Sequence, residues 1–171
     1  MNYNFENIKK RILVATGFFI KKDNFLLKND VNERSISHKL AEYLGRLFRD
    51  YHVDCEYNKI RTETMTEEYI KKTLNLQINI IKSNDVDAKT VYPDIIIHKR
   101  ENKKDNLLVI EIKKKKNSSS REFDITKLKT FTTELKYKWG LYLEFDATAL
   151  NDMKWFKNGR ELSSYEASKE V

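Results

Sequence analysis

The chain has 171 residues, with 33 Lys+Arg against 26 Asp+Glu for a net charge of +7, and it is 40% hydrophobic and 12% aromatic. That length suits one domain and that apolar content suits a packed core, which excludes global disorder; four Gly and one Pro exclude collagen-like and low-complexity chains. One cysteine, Cys55, excludes an internal disulfide, no Cys/His spacing fits zinc, and the longest apolar run, 12–20, is too short to span a bilayer and precedes no cleavage site, so a soluble protein of a reducing cytoplasm with no membrane partner is expected.

Residues 5–20 predict an opening helix, with Phe5, Ile8, Ile12 and Ala15 at helical spacing and Gly17 weakening its end. A second helix is expected over 32–48, where Ile36, Leu40, Tyr43, Leu44, Leu47 and Phe48 form one apolar stripe. Glu33 precedes Ile36 by three residues and so joins that stripe in the first turn, an odd place for a carboxylate on a surface helix. Residues 52–57 read as a strand. Residues 61–90 are polar and read as an insertion, holding a short helix near 67–74 and a weak strand near 76–81.

Two clear strands follow, 91–99 and 107–114, close enough to pair as a hairpin through the polar turn 100–106. Pro93 opens the first, where a missing N–H is tolerated. Residues 117–120 are a loop; Ile125, Leu128, Phe131, Thr132 and Leu135 mark a helix with Asp124 as its N-cap. An aromatic-rich strand spans 139–145, and the tail carries a turn signal at Lys157-Asn158-Gly159-Arg160. No internal repeat or linker divides the chain.

The informative residues are Pro93-Asp94 and, 17 positions after the aspartate, Glu111-Ile112-Lys113. Acid-x-Lys alone means little, because this Lys-rich chain has it five times. Only Glu111-Ile112-Lys113 follows an unbroken apolar run, Leu107 to Ile110, so only there does a carboxylate interrupt a buried strand. Strand alternation puts Glu111 and Lys113 on one face and Ile110 and Ile112 on the other. Paired through the turn, Asp94 and Glu111 meet near one sheet end, where two carboxylates repel unless a proton or cation joins them. Carboxylate oxygens plus waters suit Mg²⁺. With a lysine alongside, the set fits phosphodiester hydrolysis by an activated water. The competing reading is a surface ion pair between Glu111 and Lys113.

Tyr92-Pro93-Asp94 followed by Glu111-Ile112-Lys113 resembles the signature of the PD-(D/E)XK nuclease superfamily, and the helix, three strands, helix, strand order resembles its restriction-endonuclease-like core. Segments 32–40, 53–58 and 91–100 further resemble a widespread group of uncharacterised bacterial members. The resemblance implies an α/β fold with a central mixed four-stranded sheet flanked by helices over about 31–146, after an extra N-terminal helix. It implies that Asp94 and Glu111 bind Mg²⁺ or Mn²⁺, that Lys113 acts with the nucleophilic water, and that Glu33 adds a third metal-binding acid from the first core helix. The expected partner is nucleic acid, DNA foremost; a homodimer does not follow from the sequence. The alternative is a catalytically inactive nucleic-acid-binding or assembly module on the same fold.

Lys114, Lys115, Lys116, Arg121 and Lys127 are candidate phosphate contacts, each also readable as a solvated cation. Glu33 is equally a helix N-terminal acid favoured by the dipole. His38 and Glu56 read as surface residues and Cys55 as a small core residue. The +7 charge favours polyanions, though 25 Lys against 8 Arg is also what an A+T-rich genome produces.

Overall fold

The apolar spacing of the N-terminal segment builds a longer helix than Gly17 suggests. In the computed structural model, which describes residues 3–56, 92–100, 102–117 and 121–163, α1 runs over Phe5–Lys28 and is kinked at Asp23. Gly17 costs roughly 1 kcal/mol relative to alanine in a helix interior. Beyond it Phe19 and Leu27 are buried, and that burial carries the helix onward. The Asn4 side chain accepts from the Asn7 amide and caps the start. Asn32 likewise caps α2, Glu33–Leu47, by accepting from the Ser35 amide.

Six strands form one mixed sheet in sequence order. They are β1 His52–Cys55, β2 Ile95–Lys99, β3 Asn102–Lys114, β4 Trp139–Phe145, β5 Leu150–Lys157 and β6 Arg160–Glu161. β1, β2 and β3 are antiparallel, β3 and β4 are parallel, and β4, β5 and β6 are antiparallel again. The parallel pair needs a crossover, and α3, Arg121–Thr133, supplies it. The result is a mixed α/β architecture of three helices and six strands among the described residues.

Strand alternation divides the core into two layers. Leu108, Ile110 and Ile112 of β3 point with Ile95, Ile97, Leu141 and Leu143 into the layer filled by α1 and α2. Val109 points with Ile96 and Tyr142 to the opposite face, against Phe123, Leu128 and Phe131 of α3. α3 lies close there: a Cβ on Gly140 of β4 would stand 3.2 Å from Thr132 Cγ2 and 3.1 Å from Phe156 Cβ.

The sheet departs from expectation at its far edge, with six strands instead of four. β5 is rich in residues that disfavour strands, Asn151, Asp152 and Lys154 among them, so its pattern did not announce it. The ladder to β4 and the burial of Trp155 and Phe156 make it a strand. Asn158 and Gly159 take φ of 50° and 77°, which a two-residue hairpin turn from β5 to β6 requires. β3 begins at Asn102, earlier than expected, and α3 begins at Arg121, so Asp124 lies inside the helix and not at its cap. The expected short helix near 67–74 and strand near 76–81 lie outside the described residues. No helix among the described residues is long and apolar enough to cross a membrane.

Ile110 is fully buried at the centre of β3. Ile110→Ala is expected to lower unfolding free energy by about 2–5 kcal/mol, read from urea denaturation, through lost burial and the cavity left behind.

Candidate active site

β3 places Glu111 and Lys113 on the α3 face, in line with buried Val109. Both are buried, Glu111 at 1% and Lys113 at 4% exposure, which ordinary surface charges never are. Two residues of α3, three apart and therefore on one helix face, meet them. Lys127 Nζ lies 2.6 Å from Glu111 Oε2 and 3.8 Å from Asp124 Oδ1, while Lys113 Nζ lies 3.0 Å from Asp124 Oδ2. Lys127 also donates to the Tyr92 carbonyl at 3.4 Å.

Asp94 stands just before β2, where the register Ile95↔Ile110 continues to Glu111. Its carboxylate accepts from the Ile112 amide at 2.7 Å, and its carbonyl accepts from the Glu56 amide at 3.3 Å. Three carboxyl groups, Asp94, Glu111 and Asp124, thus face two ammonium groups, Lys113 and Lys127. With every group ionised the cluster carries one uncompensated negative charge in a poorly solvated place, which a proton or a bound cation can balance.

The ionisation behaviour reflects that imbalance. Burial pushes Asp94 up to about 6, against the pull of the Lys127 ammonium and the Ile112 amide. Burial, reinforced by Asp94 and Asp124, raises Glu111 well above the ordinary carboxyl range even with Lys127 beside it. Burial works against the charged form of Lys127, but Glu111, Asp94 and Asp124 outweigh it and raise the lysine. Glu111 Oε1 is buried with no hydrogen-bond partner, an orphaned acceptor of the kind that needs a cation, a water or a proton.

Glu33 reaches the same strand end from the opposite layer. Its Oε1 accepts from the Lys114 amide at 2.8 Å and from Asn117 Nδ2 at 2.9 Å, and its charge is felt at Asp94. The four expected residues therefore gather at the end of β3, Asp94, Glu111 and Lys113 on the α3 side and Glu33 on the α2 side. Among the described residues no three His, Cys, Asp or Glu side chains come together in a metal-holding group. Of the Glu111 carboxylate, Oε2 meets Lys127 and Oε1 is without a hydrogen-bond partner, with Asp94 opposite on the neighbouring strand segment.

The candidate phosphate contacts fare differently. Lys127 is buried in the cluster, with its charge directed at Glu111 instead of outward. Lys114 Nζ is tied to the Asp30 carboxylate at 2.9 Å and to the Val31 carbonyl at 2.8 Å. Arg121 pairs with Glu144 and donates to the Lys115 carbonyl. Burial works to raise Glu144, but Arg121 and the Tyr142 hydroxyl hold it below the ordinary range. Lys115 bonds Asn151, and Lys116 stands exposed. A cleft of about 290 Å³ opens beside these lysines, floored by Leu27 and Phe145; none of Asp94, Glu111 or Lys113 lines it. His38 is exposed, and Glu56 pairs with Arg34 at the surface.

Asp124 and Lys127 are the members of the cluster whose place the sequence did not show, Asp124 being expected as an N-cap and Lys127 as a phosphate contact or solvated cation. The readable signal was their spacing of three, with a buried strand acid to meet. Compared with known proteins, the chain matches no family model, no curated protein and no solved structure.

Two expectations follow. Because native Asp94 holds its proton up to about pH 6, against 3.8 ordinarily, the native state is the better proton binder in that window, and this group's contribution to stability falls as pH rises from about 4 to about 6. The loss is at most about 3 kcal/mol. Urea denaturation in chelator should show the stability difference, Asp94→Asn minus wild type, growing in favour of the variant across that range. Separately, Lys127→Met should cost about 3–5 kcal/mol by stranding a buried carboxylate. Lys127→Met combined with Glu111→Leu should recover most of that loss, measured as a double-mutant cycle.

Proposed function

We propose that the protein is a metal-dependent nuclease that hydrolyses phosphodiester bonds, DNA foremost, and that its fold is the restriction-endonuclease-like one. The observation that carries this reading is Glu111. It is a fully buried carboxylate with one orphaned oxygen, in register with Asp94 and on the same face as Lys113. The helix, three strands, helix, strand order and the sequence resemblance at 92–94 and 111–113 support it.

In this reading Asp94 and Glu111 hold Mg²⁺ or Mn²⁺, with Glu33 buttressing the strand end through the Lys114 amide. A divalent cation bound there supplies a water of lowered pKa and charge stabilisation at a phosphoryl oxygen. Asp94 is kept in place by the Ile112 amide, so its carboxylate enters the site already oriented. Lys113, buried against Asp124, is in this reading the ammonium that stabilises charge developing on the phosphoryl group. Lys115 and Lys116 flank the strand end and fit backbone phosphates without reading base edges. Binding on this account is sensitive to salt and indifferent to sequence.

One observation favours the second reading, an inactive binding or assembly module. Lys127 already compensates Glu111 at 2.6 Å, so a chain with no metal loses less by burying that acid.

The test is cleavage of single-stranded, duplex and branched DNA and RNA with Mg²⁺ or Mn²⁺, paired with calorimetric metal titration. Glu111→Gln should lose both metal affinity and turnover. Lys113→Ala should keep metal binding and lose about 10²–10³-fold in single-turnover rate. Wild-type cleavage by both variants refutes the catalytic site. Metal binding by neither variant nor wild type, with nucleic acid still bound, establishes the inactive module.

A further inference from the structure

The large hydrophobic residues left exposed among the described residues all lie on α1: Leu13 at 48%, Val14 at 45%, Phe18 at 46% and Phe25 at 70% exposure. The helix buries Phe5, Ile8, Ile12, Ala15 and Phe19 on its other side, so this strip is a second apolar face and not the edge of the first. At 1.5 Å per residue, Leu13 to Phe18 spans about 7.5 Å, and Phe25 follows beyond the kink at Asp23. Phe18 stacks on Tyr43 of α2 with ring centroids 6.2 Å apart, which joins the strip to the neighbouring helix. Monomeric surfaces scatter single apolar residues; a line of four on one helix marks a place that something covers.

Before the kink the charges of α1 beside this strip are of one sign, while Asp23 at the kink is engaged by the Tyr43 hydroxyl. From Asn7 to Lys22 the helix contains no acid. Lys10, Lys21 and Lys28 are exposed, and none is joined to a carboxylate among the described residues. Lys22 lies over the Phe18 ring at 5.7 Å. Lys21 follows Val14 by seven residues and Phe18 by three, so helical periodicity before the kink at Asp23 puts it within the apolar strip and not beside it. That interleaving decides between two kinds of cover. An interfacial membrane helix separates its apolar face from its lysines, which stay with the headgroups. Here immersing Phe18 and Phe25 would draw Lys21 toward the acyl chains. A second copy of this face would set lysine against lysine. A protein partner with acids spaced between its apolar anchors meets both requirements at once.

We propose that the exposed face of α1 is a docking surface for an acidic amphipathic helix of another protein. The partner's apolar residues at i, i+4 and i+7 seat against Leu13, Val14, Phe18 and Phe25, and its carboxylates pair with Lys10, Lys21 and Lys28. The apolar contacts supply affinity, while the charge pairs set register and association rate. The surface is on the α1–α2 side of the sheet, opposite the α3 face that holds Lys113 and Glu111, and it does not depend on the nuclease reading.

The experiment places a photo-cross-linking phenylalanine analogue at Phe25 in the full chain, expressed in its native host, with the same analogue at exposed Lys129 of α3 as the control position. Adducts are identified by mass spectrometry. The expected result is an adduct specific to position 25, to a segment of another protein that carries carboxylates between apolar residues at helical spacing. Its yield should fall roughly tenfold when Lys10→Glu and Lys21→Glu are introduced together. A synthetic peptide of that segment should bind the purified chain with affinity that declines as salt rises. Circular dichroism and thermal melting of the variants establish that they are folded; should the charge-reversed pair fail to fold, Phe18→Ser replaces it with the same expected loss. Adducts to phospholipid, to a second copy of the chain or to residues 57–91 of the same chain overturn the proposal. So do a yield no greater than at position 129 and an adduct indifferent to the charge reversal.

Discussion

The contact between Glu111 and Lys127, 2.6 Å long and almost without solvent, governs how the rest of the molecule is arranged. A carboxylate in the middle of an apolar strand loses several kcal/mol of hydration, which no packing returns. A counter-charge must come from whatever covers that face, and α3 covers it. The helix therefore docks where Lys127 can reach Glu111, and its periodicity then delivers Asp124 to Lys113. The hydrophobic layer of Phe123, Leu128 and Phe131 provides the affinity between helix and sheet; the charged contacts set the position.

The strand end at Ile112 to Lys114 is the meeting point of the two layers. The Ile112 and Lys114 amides, two residues apart, point to the same side of β3, away from β4, and each finds a carboxylate. The Ile112 amide bonds Asp94 from β2's side and the Lys114 amide bonds Glu33 from α2. Two acids from distant parts of the chain are thus oriented by one strand's main chain, which is stiffer than any side-chain support. The excess of carboxyl over ammonium groups then follows from topology, since the segment entering β2, β3 and α3 each bring an acid while only β3 and α3 bring a lysine.

The lysine-rich composition resolves into separate uses once the fold is known. Lys113 and Lys127 are interior counter-ions, Lys114 fastens the α1–α2 connection through Asp30 and Val31, and Lys10, Lys21 and Lys28 stand exposed on α1, joined to no carboxylate among the described residues. Residues identical in chemistry differ in role because burial sets whether a charge must be answered inside the protein.

The local signals were legible without coordinates. Helical spacing located α1 and α2, the apolar runs located β2 and β3, and the interruption of one run by Glu111 singled out the site. Alternation alone placed Glu111 and Lys113 on a common face, because a two-residue period is a property of any strand. Tertiary structure decided what such periods cannot hold. Burial of Phe19 and Leu27 carried α1 past Gly17. Pairing with β4 made a strand of the polar sequence at 150–157 and widened the sheet to six. The side chains of Asp124 and Lys127 read from sequence as a cap and a surface cation, since nothing local distinguishes a lysine aimed at water from one aimed at a buried acid. Only the crossover that lays α3 over β3 brings together residues 16 positions apart, Glu111 and Lys127, and turns separate charges into one cluster.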